Sequence, residues 1–272
     1  MREVNVALMQ MKVVCGDIAE NITNATRLLN SVNEPYDIAV FPECFDLGWA
    51  NPGFNDAVLS IPNPVTERLC AMAKEKNIHI VAGVTERENE NLYNASLLIN
   101  SDGEIIGKHR KINILTDVEY MYSVGTSISV FDTAHGRIGI PICADNLINS
   151  TVIAESMARM GCELILSPCA WAVNEEFIAN KNVYGAEWIE PYTRIASRYK
   201  IPVIGVSNVG KVTCGEWKGY RCIGNSIVVT SDCEVIMLPF GETAECCRVV
   251  NVKLYDKAKL GTALSEAIGT EN

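Results

Sequence analysis

The chain lacks any apolar run approaching the roughly 18 residues that a membrane-spanning helix needs. Its opening, MREVNVALMQMK, interrupts an apolar stretch with Asn5, Gln10 and Lys12, unlike the core of a secretory signal. It also lacks an excess of positive charge, because 23 Lys and Arg stand against 33 Asp and Glu, for a net charge of −10 at pH 7. That balance repels phosphate backbones and anionic lipid, which excludes nucleic acid and membranes as expected partners. Cys-x-x-Cys pairs are missing although there are 11 cysteines, so no zinc site is expected. With no secretory signal, the expected state is reduced thiols packed mostly as small hydrophobes, in a soluble cytoplasmic protein.

Histidine is scarce as well, with three in the chain. His135 lies eight residues before Cys143, which raises a Cys-His mechanism as a rival. His135-Gly136 reads as a hairpin turn, however, and His79 lies inside an apolar strand, so both have structural explanations.

What is present is enough apolar residue, 48%, for one substantial core. A single domain over residues 1–258 is expected, followed by a C-terminal tail over 259–272. Short apolar runs recur as candidate buried strands: VNVALMQM, DIAVFPE, IHIVAGVTE, NASLLINS, RIGIPIC, ELILSPC, IPVIGVSNV, NSIVVTS and CRVVNVKLY. A helix is predicted from Pro64 to Lys76, capped by Asn63, with Val65, Leu69, Met72 and Ala73 on one face. Another runs from Ser150 to Met160 and closes on Gly161. Strands outnumber helices in the middle and near the end, which suits a layered α/β sandwich better than a purely alternating parallel sheet. No internal repeat is visible.

Three strand ends carry a reactive side chain. In DIAVFPECFDLGW, Pro42 ends a strand and delivers Glu43 to a site where desolvation would raise a carboxyl pKa toward the range of a general base. In GEIIGKHRKINI, Lys111 closes a basic cluster. In GRIGIPICADN, Cys143 follows a strand and precedes the helix at Ser150, a strand-turn-helix setting that exposes a nucleophile. Taken singly, each is an ordinary carboxylate, lysine or buried thiol. Their order and flanking motifs outweigh that reading.

Together with VALMQMKVVCGDIAENI at the start and GNSIVVTSDCEVI late in the chain, these segments resemble the nitrilase superfamily of carbon-nitrogen hydrolases, roughly from Val4 to Val252. The resemblance implies a four-layer α-β-β-α sandwich and a Glu-Lys-Cys triad: Glu43 as general base, Lys111 as electrophilic stabiliser and Cys143 as nucleophile. Glu119, eight residues after Lys111, takes a supporting role. The N–H of Ala144 would help hold an oxyanion. Tyr120, Phe45, Trp49 and Trp171 are the candidate aromatic walls around a small amide or nitrile. No metal or organic cofactor is expected. Trp188 and Arg194 would lie on a helix near a dimer interface, since the resemblance also implies a homodimer whose helices flanking Cys143 meet on a two-fold axis.

The expected reaction is hydrolysis of a small linear amide or N-carbamoyl compound to acid and ammonia through a Cys143 thioester. The alternatives are a nitrilase acting through a thioimidate and a catalytically silent binding protein. The segment CADNLINST departs from the family pattern: Asp145 is kept, but Ala144 stands where an aromatic residue is usual and the Pro-Glu turn is missing.

Overall fold

In the computed structural model the described residues are 1–179 and 184–256, and the expected tail over 259–272 lies outside them. Alternation along the first strand shows how the layers arise. In β1 (Arg2–Gln10), Val4, Val6 and Leu8 face one apolar layer, while Ala7 and Met9 face another. The same split recurs in β2 (Ile38–Val40), β3 (His79–Glu88) and β4 (Asn91–Ile99), which pair with β1 and with β5 (Ile105–Arg110) in one sheet.

A second sheet contains β6 (Phe131–Thr133), β7 (Gly136–Gly139), β8 (Leu164–Cys169) and further strands described below. The short β9 (Ala172–Val173) leaves it for a small separate sheet. Then β10 (Val203–Ser207) joins the second sheet, β11 (Val209–Lys211) and β12 (Arg221–Ile223) join β9, and β13 (Ile227–Val229) and β14 (Val235–Met237) complete the second sheet. The last strand, β15 (Cys246–Leu254), returns to pair antiparallel with β1.

The two large sheets run β15-β1-β2-β3-β4-β5 and β14-β13-β10-β8-β7-β6. Read from β15 and from β6, they share one pattern: an antiparallel edge, three parallel strands and an antiparallel finish. The sequence carries no repeat, so this duplication is one of topology alone.

Val6, Leu8, Val40, Ile138, Ile140, Leu166 and Val206 meet in the apolar layer between the sheets. The outer faces are covered by helices. On the first sheet lie α1 (Ile18–Ser31) and α2 (Pro64–Lys76), the latter with the expected Asn63 cap and Val65, Leu69, Met72 and Ala73 buried. On the second lie α3 (Thr151–Arg159), which ends before Gly161 at φ +87, and α5 (Ala186–Tyr199), with the short α4 (Glu175–Ala179) between them in the chain. The result is the four-layer α-β-β-α arrangement. Among the described residues no helix is long and apolar enough to cross a membrane.

One expectation is corrected. Cys15 and Cys214 form a disulfide across a sequence separation of 199, while the remaining cysteines are free. The fold brings the loop after β1 against the extension after β11, a proximity that no local cysteine spacing encodes. The histidine reading is kept: His79 begins β3, His135 sits in the β6-β7 turn, and their rings meet edge to face at 4.7 Å.

Candidate active site

The chain leaves β2 through Phe41, whose N–H donates to Val81, and then crosses Gly83. A Cβ on Gly83 would sit 2.5 Å from Glu43 Cα, so only glycine lets the two backbones approach there. The Glu43 N–H donates to the carbonyl of Cys169 at 3.2 Å, which ties this turn to the end of β8 in the other sheet. Lys111, one residue past β5, is anchored by its N–H to Asn94 O at 2.9 Å.

These anchors bring three charged side chains together with no solvent exposure. Lys111 Nζ donates to Glu43 Oε1 at 2.7 Å and to Glu119 Oε1 and Oε2 at 2.7 and 2.9 Å. Asn94 Nδ2 donates to Glu43 Oε1 at 2.7 Å and to Glu119 Oε1 at 3.2 Å. The Trp49 indole and the Leu115 N–H hold Glu119 at 2.7 and 2.8 Å. Glu119 is thus saturated, whereas Glu43 Oε2 is buried without a hydrogen bond.

Burial pushes the Glu43 carboxyl up to about 7, and the Glu119 charge adds to this, while Lys111 and Asn94 pull it down. For Lys111, burial opposes the charge, but Glu119 and Glu43 outweigh it and hold the ammonium well above its ordinary range.

Cys143 opens a 3-10 turn, Cys143–Asn146, with φ at +42, a conformation that side chains other than glycine rarely adopt. Its N–H donates to Ser167 Oγ at 3.1 Å. Burial, then the Cys169 thiol and the Glu43 charge, keep the Cys143 thiol well above its ordinary pKa, with Lys111 pulling the other way.

The retained Asp145 explains how the turn is fixed. It accepts from the N–H groups of Ile112 and Asn113, beside Lys111, and from Ile142, beside Cys143. It also pairs with His109 Nε2 at 2.8 Å. Burial alone would raise its pKa, but the His109 bond and the backbone donors hold it below the usual range.

Of the aromatic candidates, Trp171 joins the apolar cluster that contains Cys143 and stacks on Trp188 at 4.9 Å, its Nε1 without a partner. Ala144 is buried in the Cys143 turn. Phe45 instead packs into the helix-side core, its ring 5.7 Å from Phe41, and Tyr120 is 58% exposed beside buried Glu119. Asn94 was not indicated by sequence; a polar residue inside the apolar run NASLLI is the signal that marks it. Among the described residues no group of three His, Cys, Asp or Glu side chains is set to hold a metal.

The four-layer fold is shared with the carbon-nitrogen hydrolase of Helicobacter pylori G27, which superposes with a TM-score of 0.79 at 20% identity, covering 93% of this chain and 90% of that one. The carbon-nitrogen hydrolase profile matches residues 5–256, so the chain belongs to that family. Omega-amidase NIT2 of Xenopus tropicalis is 31% identical over 165 residues, covering 56% of this chain and 59% of that protein. The match therefore spans about six-tenths of that relative's length. A nitrilase of Pyrococcus abyssi is 26% identical over 259 residues, covering 93% of this chain and 90% of its own.

Proposed function

We propose that the protein hydrolyses a small linear amide or N-carbamoyl compound to an acid and ammonia, with Cys143 as nucleophile. The observation that carries this reading is the buried Lys111 ammonium shared by Glu43 and Glu119 next to a thiol, with one Glu43 oxygen left unpartnered. A carboxyl held near 7 is matched to general-base work at neutral pH. Because the thiol is held protonated, attack on the carbonyl and transfer of the thiol proton to Glu43 belong to one step.

In that step the sulfur-carbon bond forms and the carbonyl oxygen takes the negative charge, which Lys111 and the Ala144 N–H stabilise. Glu43 then passes its proton to the departing nitrogen, the carbon-nitrogen bond breaks, and ammonia leaves a thioester. Glu43 next takes a proton from water as the water oxygen attacks the thioester, and the acid and thiol are released. Glu119, saturated by Trp49, Leu115 and Lys111, positions the ammonium. Trp171 is the wall residue best supported by its place in the Cys143 cluster.

The near full-length similarity to an archaeal nitrilase supports a second reading, in which a nitrile gives a thioimidate on the same sulfur. Ammonia release across a panel of small amides, N-carbamoyl compounds and nitriles separates the two. Loss of release in Cys143→Ala supports the nucleophile, and undiminished release in that variant removes it. Silence across the whole panel favours a binding protein. The expected homodimer is supported by the apolar outer edge around α3, where Ile148, Val152 and Met160 are exposed, and sedimentation tests it.

A further inference from the structure

Cys143 has a second thiol beside it. The parallel register of β7 and β8 sets Ile138 opposite Leu164 and Gly139 opposite Ile165, so Cys143, in the turn that follows β7, and Cys169, at the end of β8, leave neighbouring strands on the same side. The Cys143 and Cys169 thiols lie within hydrogen-bond reach of each other. One hydroxyl touches both: the Cys143 N–H donates to Ser167 Oγ at 3.1 Å, and that oxygen lies 3.5 Å from Cys169 Sγ. Both cysteines belong to one buried cluster, and the Cys169 carbonyl is the acceptor for Glu43 N–H. Cys44, the thiol next to Glu43 in sequence, belongs to a different cluster and lies 3.7 Å from the Tyr122 hydroxyl.

We propose that Cys143 and Cys169 form a reversible oxidative modification site, in which Cys169 captures Cys143 after a hydroperoxide has oxidised it. The proposal rests on the reading of Cys143 as the reactive thiol, and a peroxide is small enough to use the path an amide would take. In the first step Cys143 sulfur attacks the peroxide, the O–O bond breaks, and a sulfenic acid and one molecule of water or alcohol result. In the second, Cys169 sulfur attacks the sulfenic sulfur, the S–O bond breaks, and water leaves as the disulfide forms. A dithiol reverses it, two electrons and two protons returning to the cysteines. Without Cys169 the sulfenic acid stands exposed to further peroxide and goes on to sulfinic acid, which a dithiol does not reduce.

The full chain is treated with a few equivalents of hydrogen peroxide and mapped by non-reducing peptide mass spectrometry, with ammonia release measured in parallel. In the unaltered protein we expect a Cys143-Cys169 linked peptide lighter by about 2 Da, activity lowered at least about tenfold, and recovery in dithiothreitol. Cys169→Ala and Cys169→Ser should instead carry about 32 Da on Cys143 and stay inactive relative to their own untreated samples. A linked peptide from a protein that hydrolyses nothing in the panel leaves this proposal standing and removes the amidase reading. Sulfinic acid on Cys143 in the unaltered protein, linkage to another cysteine, or an unmodified Cys143 overturns it.

Discussion

Asn94 donates its side-chain amide to Glu43 at 2.7 Å, on the same Oε1 that Lys111 holds. Two donors on one oxygen leave the other oxygen as the basic one, so Asn94 selects which face of the carboxylate works. It also stabilises the charged form and lowers the Glu43 pKa. Asn94→Ala should therefore move the acidic limb of kcat/KM to higher pH. A lost hydrogen bond to a charged group costs about 1.5–3 kcal/mol, or roughly 10- to 100-fold in rate at neutral pH. An unshifted limb would show that Asn94 acts on packing alone.

Glu43 itself titrates in a measurable window. In the proposed role of base it must be ionised, so kcat/KM should rise with pH through about 7. Its folded value lies above the ordinary carboxyl value, so the stability it contributes is complete below about 4.5 and is lost as pH rises through about 7. Glu43→Gln removes that loss. Thermal melts should show the variant gaining on the unaltered protein above pH 7 and the gain vanishing near pH 4.5.

Asp145 is the crosspiece between the lysine and cysteine segments, since it accepts from Ile112, Asn113 and Ile142 and pairs with His109. Asp145→Asn leaves that buried cluster short of acceptors, at a cost of about 3 kcal/mol. The melting temperature should fall and kcat should drop more than KM rises, because Lys111 and Cys143 lose a common support. Unchanged kcat at full occupancy would rule out that coupling.

The His79 and His135 pair ties the first sheet to the β6-β7 hairpin of the second. Burial, then the His135 ring, lower the His79 pKa from 6.5 to about 4, against the opposing charges of Asp102 and Asp37. A base whose folded value is depressed contributes stability above its unfolded value and loses it as pH falls. Urea unfolding should therefore show stability declining from about pH 6.5 to pH 4, with a shallower slope in His79→Phe. Equal slopes would assign the acid sensitivity to other groups.

The sequence singled out Glu43, Lys111 and Cys143 because each stands at a strand end, Lys111 after a basic cluster, and a titratable side chain at a strand end is a local pattern. The α2 cap at Asn63 and the α3 stop at Gly161 were local in the same way. What stayed hidden depends on distant partners. Asn94 is one polar residue in the middle of a strand, and nothing near it names Glu43. Helix α1 buries Asn21 and Asn24, so its inner face does not read as an apolar stripe. Asn21 is there to bond Val14 and the Asp46 carbonyl. Phe45 and Tyr120 stand close to Glu43 and Glu119 in sequence, yet Phe45 packs into the helix-side core and Tyr120 is exposed, because neighbours along a turn face different ways.

Glu43 and Lys111 follow strands of the first sheet and Cys143 a strand of the second, and an apolar layer fills much of the space between the sheets. The separation between Glu43 and Cys143 is therefore gauged in large part by a stack of valines, leucines and isoleucines, as a shim sets the clearance between two plates. Such a spacer is incompressible when filled and slack when a methyl group is missing. Turnover in this protein becomes a readout of how well its interior is packed, and residues that never approach a substrate hold part of the tolerance on which the chemistry depends.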